Sequence, residues 1–330
     1  MNIVLPLIIQ VVILFIMMVP GFLMKKCRLA GEGFGKGLSN LVLYIAQPAL
    51  ILYSYLDCVP SRTLWLNALW VLLLSFLAHF LFAAVALSLF KGACDSHRRM
   101  LRFATVFSNA AFMGIPLIDV ILGAEATIYA SIYNITFNLF LWSLGVYFCT
   151  AKRDEDGDGV PDGEDKPRHR ISPLKILLHP VTIASILGVI LLAVEGGRFL
   201  PALITDSLQM LKGLVAPLSM VVIGLRLADV SLRGAFRDRH LYLFLALRHL
   251  ILPLAVLLML WVLSLCGLAL GEVVTTVILL LASTPAATSA TMFAEKYDCD
   301  AVYTSRTVIL STLLSVGTMP LVLMLASLIL

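Results

Sequence analysis

Apolar runs long enough to cross a bilayer follow one another along this chain with few polar breaks. Ile3–Met24 and Ala68–Phe90 reach the roughly 20 residues that a membrane helix needs. Hydrocarbon offers no partner for backbone N–H and C=O groups, so a spanning segment must satisfy its own. The apolar pattern predicts an all-α integral membrane protein with ten spans, at about 3–24, 38–57, 64–90, 101–122, 126–150, 173–194, 201–227, 241–268, 272–295 and 300–328. The chain is 60% hydrophobic and 13% charged, with a mean hydropathy of +0.99. A soluble domain carries about 25% charged residues. The first run reads as a span rather than a cleavable signal, because Lys25, Lys26 and Arg28 follow it instead of preceding it.

Charge placement sets the orientation. Of the 24 Lys and Arg residues, 21 fall in or beside the connections after spans 1, 3, 5, 7 and 9; Arg62, Arg198 and Lys212 are the exceptions. Short basic loops stay in the cytoplasm. A multi-pass protein of a plasma or bacterial inner membrane, with both termini outside, is expected. The net charge of +4 then reports topology and gives no reason to expect nucleic acid as a partner. The six cysteines are scattered singly, without CxxC, and read as small apolar packing residues.

Pro48 and Pro217 lie 169 residues apart, and so do Pro116 and Pro285. Proline removes a backbone donor and clashes with the preceding turn, so each should break or kink its span. Breaks at one offset suggest two similar halves. Five spans per half, an odd number, turn the second half upside down relative to the first. The expected fold is therefore two inverted five-helix repeats, 1–150 and 173–330, joined by a polar cytoplasmic linker, 151–172. In transporters, broken helices at matching positions of two such halves mark the binding site.

The polar residues of these spans gather around Pro116 and Pro285. The fourth span carries Ser108, Asn109 and Gly114; the ninth carries Ser283, Thr284, Thr288 and Ser289. A helix broken at mid-membrane leaves backbone groups for a ligand, an ion or neighbouring side chains to satisfy. The N-terminal end of a half-helix favours an anion, and Asn109 can orient a carboxylate or ligate a cation. Hydrogen-bonded glue between helices is the competing role for each of these residues. Asn134 and Asn138 are four apart in the fifth span, hence on one helix face, where they either line a pocket or meet partners. Lys212 either pairs with an anionic substrate or extends to the outer interface. Asp119 should lie near that outer surface. His79 is a proton-relay candidate or a packing residue, and Arg248–His249 mark the start of the eighth span.

The linker has a spacing of its own. From Asp154, acidic residues follow at Asp156, Asp158, Asp162 and Asp165, with Gly159 at the sixth position. Calcium loops place hard oxygen ligands around a sharp glycine turn in this way, so Asp154–Asp165 reads as a Ca2+ loop or as a solvated acidic linker. No other cofactor is implied. HExxH, GxSxG and Walker loops are absent from the sequence, which points away from an enzyme and from ATP-driven transport.

The segments GFLMKK, LVLYIAQPALIL, SNAAFMGIPL and TPAATSATMFAEKYDCD resemble the auxin efflux carrier family, which includes plant PIN carriers and bacterial organic-acid permeases. The resemblance covers nearly the whole chain apart from 151–172. It implies ten helices in two inverted repeats, with helices 4 and 9 crossing at Pro116 and Pro285. It further implies a scaffold of helices 1, 2, 6 and 7, often dimeric, and a moving, elevator-like domain of helices 3–5 and 8–10. By the same resemblance Asn109 lines the substrate site beside both prolines. PIN carriers have Gln where this chain has Ala286, and the bacterial members suggest a small carboxylate such as malate or malonate instead of auxin. The expected function is secondary transport of a small organic anion by a homodimer. A sodium-coupled carrier like the bile-acid symporters and a non-transporting membrane receptor are the alternatives.

Overall fold

A computed structural model describes residues 4–31, 33–150, 178–195, 197, 199–230, 238–268 and 270–329. The linker 151–172 and its Asp154–Asp165 spacing lie outside them. Among the described residues every regular element is a helix. In chain order they are α1 (Val4–Lys26), α2 (Phe34–Leu56), α3 (Arg62–Ser88), α4 (Asp95–Val106), α5 (Ala110–Thr150), α6 (Pro180–Ala193), α7 (Ala202–Asp229), α8 (Arg239–Leu265), α9 (Glu272–Ser283), α10 (Ser289–Lys296) and α11 (Ala301–Ile329).

Seven of these (α1, α2, α3, α5, α7, α8 and α11) are long and apolar enough to cross a membrane; α6 and α9 are apolar but shorter. The expected runs 101–122 and 126–150 are divided differently from the expectation. α4 is a separate helix ahead of a break at 107–109, and α5 runs on from 110 to 150. Gly123 interrupts α5 with φ 79 and ψ −164, backbone that glycine adopts without steric cost. Two rods result, 110–122 and 124–150. α7 is interrupted at 213–214, just ahead of Pro217.

The prolines act more gently than their sequence context suggests. Widened π-type turns at Val42–Ala46, Ala110–Gly114 and Leu247–Ile251 each end two residues before a proline: Pro48, Pro116 and Pro253. A proline ring clashes with the carbonyl one turn back, and one extra residue in that turn makes room for it. The helices therefore continue through Pro48 and Pro116 without breaking.

Packing divides each helix into a protein face and a lipid face. α3 turns Leu66, Leu69, Leu73, Leu77 and Phe80 outward while burying Leu64, Ala68, Val71, Ala78 and Phe82, the stripe expected of a 3.6-residue period. α9 is buried over its whole second half, from Val277 to Ser283, which makes it the central rod. α1 lies against the second part of α7 at backbone distance. A Cβ on Gly224 would fall 2.0 Å from the Met18 carbonyl, and one on Gly21 would fall 2.1 Å from that of Val221. Small residues permit such crossings in membranes. α2 packs on α6, with Gly188 directly beneath the Tyr55 ring.

Candidate functional site

Two helix breaks meet and complete each other. α4 ends at Val106 and the chain is extended at Phe107, with φ −95 and ψ 115. α9 ends at Ser283 and is extended at Thr284, with φ −62 and ψ 152. Ser108 and Ala286 then face each other as an isolated antiparallel bridge. The Asn109 N–H donates to the Pro285 carbonyl at 2.7 Å, and the Ala287 N–H donates to the Phe107 carbonyl at 2.9 Å. Proline has no N–H, so Pro285 serves this bridge only as an acceptor. Backbone groups that would be costly to leave bare in hydrocarbon are thereby paired. The crossing falls at Ser108 and Ala286 rather than at Pro116, because the break in the fourth span precedes that proline by seven residues.

Near this crossing, and along the second rod of α5, lie buried polar atoms without a protein partner. Ser108 Oγ, Asn109 Nδ2, Tyr133 Oη, Asn134 Oδ1 and Asn138 Nδ2 are all buried without a hydrogen-bond partner. Most buried polar groups are paired, so five orphans on α5 and the break before it form an unusual concentration. Asn134 and Asn138 occupy one face of the second rod of α5, as their spacing predicts. Tyr133 and Phe137, one position back, touch the break: the Tyr133 hydroxyl neighbours Ser108, outside hydrogen-bond geometry, and the Phe137 and Phe107 rings lie 5.6 Å apart.

The remaining expected residues divide by what their atoms touch. Gly114 presses against α9, where a Cβ would come within 2.5 Å of Leu281 and 3.3 Å of Thr284. Pro116 is buried in the turn beyond it. The hydroxyls of Ser283 and Thr284 donate to the Leu279 and Leu281 carbonyls of their own helix, at 2.7 and 2.8 Å. Thr288 is buried at the far side of the break, and its carbonyl accepts from Arg226 of α7 at 3.0 Å. Lys212 does not stand free for a substrate. Its Nζ lies 2.8 Å from Asp119 Oδ1 and 4.9 Å from the centre of the Tyr53 ring. His79 is fully buried, with Nδ1 2.7 Å from the Ser75 carbonyl. That carbonyl can only accept, so Nδ1 carries the proton and the orphaned Nε2 is a bare acceptor.

Sequence reasoning missed three contributors. Arg248, which looked like a charge at the mouth of its span, lies nine residues into α8 and is 0% exposed. Its guanidinium donates to carbonyls on both sides of the crossing: Nε to Thr284 at 3.1 Å, Nη2 to Thr284 at 2.7 Å and Ala282 at 3.1 Å, and Nη1 to Thr105 at 3.2 Å. Ser311 of α11 accepts from the Ala286 N–H at 2.9 Å. Gln47 of α2 donates to the Ala111 carbonyl at 2.5 Å and leaves its Oε1 without a partner. The signal for Arg248 was its depth within an apolar run. Ser311 and Gln47 gave none beyond being polar residues in a membrane helix.

Residues 6–323 match the family described as membrane transport protein. The chain belongs to this family, the auxin efflux carriers. An uncharacterized transporter of Methanothermobacter thermautotrophicus is 29% identical over 308 residues, covering 91% of this chain and 92% of the relative. As an auxin efflux carrier family member with seven long apolar helices among its described residues, the protein is a multi-pass membrane transporter. The resemblance that began from SNAAFMGIPL and TPAATSATMFAEKYDCD thus extends over almost the full chain.

Proposed function

We propose that this carrier moves a small organic anion across the plasma or bacterial inner membrane by alternating access, holding it beside the crossing of the fourth and ninth spans. One observation carries this reading: buried hydrogen-bonding atoms on Ser108, Asn109, Tyr133 and Asn138 lack partners, and the first three lie beside a crossing whose own backbone is already paired. The donors among them, on Ser108, Asn109, Tyr133 and Asn138, suit carboxylate oxygens. The start of α5 at Ala110 adds the positive end of a helix dipole. Gly114, Pro116, Ser283, Thr284, Pro285 and Thr288 shape the walls in this reading. Ala286 lacks the side-chain amide that PIN carriers place at this position, so a small carboxylate such as malate or malonate is favoured over an auxin-like acid.

The wider architecture follows the same reading. Ten membrane segments form two inverted five-helix repeats, 1–150 and 173–330, with both termini outside. α1, α2, α6 and α7 make the scaffold of a homodimer, and α3–α5 with α8–α11 make the moving domain. The pairing of α1 with α7 and of α2 with α6 supports it, since an inverted repeat exchanges the first of these pairs for the second.

Uptake of labelled malonate and malate into proteoliposomes tests the function. The wild-type protein should accumulate at least one of them, and Asn109→Ala should weaken uptake about ten-fold, the loss expected when one charge-assisted hydrogen bond goes. Unchanged uptake and binding in Asn109→Ala would remove the site assignment.

A further inference from the structure

We propose that Arg248 is the fixed positive charge that makes the crossing select anions, and that it favours doubly over singly charged carboxylates. The inference rests on the anion-carrier reading above. It starts from the neutrality of the groups that hold the Arg248 guanidinium. All four of its hydrogen bonds go to backbone carbonyls, of Thr105, Ala282 and Thr284, and the Phe82 ring lies 5.6 Å from its guanidinium carbon. The ion pairs among the described residues do not include it. A buried cation without a counter-ion is costly in a membrane, and such residues mark substrate pathways.

Its position explains what the charge accomplishes. α4 and α9 both stop at the crossing, and their last carbonyls form the negative ends of two helix dipoles. Left bare, those ends would repel an anion. The guanidinium covers one carbonyl near the end of α4 and two at the end of α9, so it cancels that repulsion and leaves a net positive charge. An arginine does not lose its proton in a protein, so this charge persists through any transport cycle. Three of the unused donors, on Ser108, Asn109 and Tyr133, belong to the same region. Tyr133 lies within electrostatic range of Arg248 and beside Ser108, and Ser108 precedes Asn109. An anion held by these donors would feel the Arg248 field across a medium with little water to screen it. Arg248 thus acts at a distance, as a positioning and selecting charge, and its fork is already committed to the helix ends.

The test compares malonate with its monoamide, malonamate, which keeps the skeleton and removes one charge. Full-length wild type, Arg248→Gln and Arg248→Lys are reconstituted in proteoliposomes, and KM and kcat are measured for both probes. The expected wild type prefers malonate. Arg248→Gln should raise KM for malonate about ten-fold more than for malonamate, the scale of one lost charge interaction in a poorly solvated site, with a smaller effect on kcat. A lysine ammonium, unlike a guanidinium, can lose its proton when buried, so Arg248→Lys should fall between wild type and Arg248→Gln in this preference. If Arg248→Gln loses both probes in equal proportion, or retains the wild-type preference, Arg248 is a helix-end cap and the inference is overturned. Should Arg248→Gln not survive extraction, the wild-type preference decides alone: a wild type that carries malonamate as well as it carries malonate also overturns it. A wild type that carries neither these probes nor any other carboxylate refutes the anion-carrier reading itself.

Discussion

Ser311 Oγ lies 2.9 Å from the backbone nitrogen of Ala286 and accepts its hydrogen bond, so α11 holds the crossing from the side opposite Ser108. The contact continues into α8. His249 Nε2 is 2.8 Å from Ser311 Oγ, and His249 Nδ1 is 3.0 Å from Thr318 Oγ1. Ser311 accepts from Ala286 and donates to Nε2, which leaves the neutral ring its proton on Nδ1 for Thr318. Every member of this chain is satisfied without a charge.

Ser311→Ala should therefore destabilise the crossing itself. It leaves the Ala286 N–H and the His249 ring nitrogen buried without partners, a loss of roughly 1–3 kcal/mol for each orphaned group. Thermal unfolding of the detergent-solubilised protein should show a lowered Tm. Ser311→Thr retains the hydroxyl and should recover most of it. An unchanged Tm in Ser311→Ala would mean that water or a rotated neighbour replaces the hydroxyl.

How far the crossing could be read from sequence depends on which half is considered. Pro285 lacks an N–H, and Ser283, Thr284 and Thr288 surround it, so the break in the ninth span was visible. The partner break at Phe107–Asn109 has no proline or glycine of its own. It is extended because Pro285 and Ala287 pair with it, a contact across more than 170 residues that no local pattern encodes. Pro116 drew attention to the right span but to the wrong turn. Asn109, Asn134 and Asn138 drew attention because amides are rare in membrane helices, and each is buried with one side-chain atom lacking a partner. Arg248 was not, because the charges beside span ends obscured it and its acceptors belong to α4 and α9. The apolar runs themselves predicted α1, α2, α3, α8 and α11 to within a few residues.

The α1–α7 contact should tolerate no added atom. Alanine at Gly224 places Cβ 2.0 Å from the Met18 carbonyl, a backbone atom that cannot rotate away. Overpacking of this kind typically costs about 1–3 kcal/mol. Gly224→Ala should lower the Tm and the yield of monodisperse protein. Gly213→Ala, whose nearest atom would be the Met210 carbonyl at 3.4 Å, is the control and should behave as wild type.

The Lys212–Asp119 pair links α7 to the first rod of α5, at 2.8 Å. If these elements separate during transport, the pair must break each time, and its attraction adds to that barrier. A partly exposed pair contributes on the order of 1 kcal/mol, equivalent to a few-fold in rate. Asp119→Asn should therefore leave transport equal or up to about five-fold faster and lower the Tm slightly. Exchanging the charges, Asp119→Lys with Lys212→Asp, should restore the wild-type rate. A rate that collapses in Asp119→Asn but returns in the exchange would show that the pair must form during the cycle instead.

Two carboxylates that begin helices contribute to stability against acid. Asp300 accepts the Tyr303 N–H at 2.8 Å and faces His97 Nε2 at 3.2 Å. Asp238 accepts from the Tyr303 hydroxyl at 2.6 Å and from the His240 N–H at 2.8 Å. Partial burial raises both carboxyls, but these hydrogen bonds outweigh it and hold both below the usual carboxylate range. A carboxyl depressed in the folded state stabilises the protein fully above its unfolded pKa, near 3.9, and loses that contribution as pH falls through the lower folded value. The Tm should stay level, as far as these two groups decide it, down to pH about 5 and then drop on further acidification. Asp300→Asn and Asp238→Asn should each start from a lower Tm at neutral pH and show a shallower drop. Parallel Tm–pH curves for wild type and both variants would refute this account.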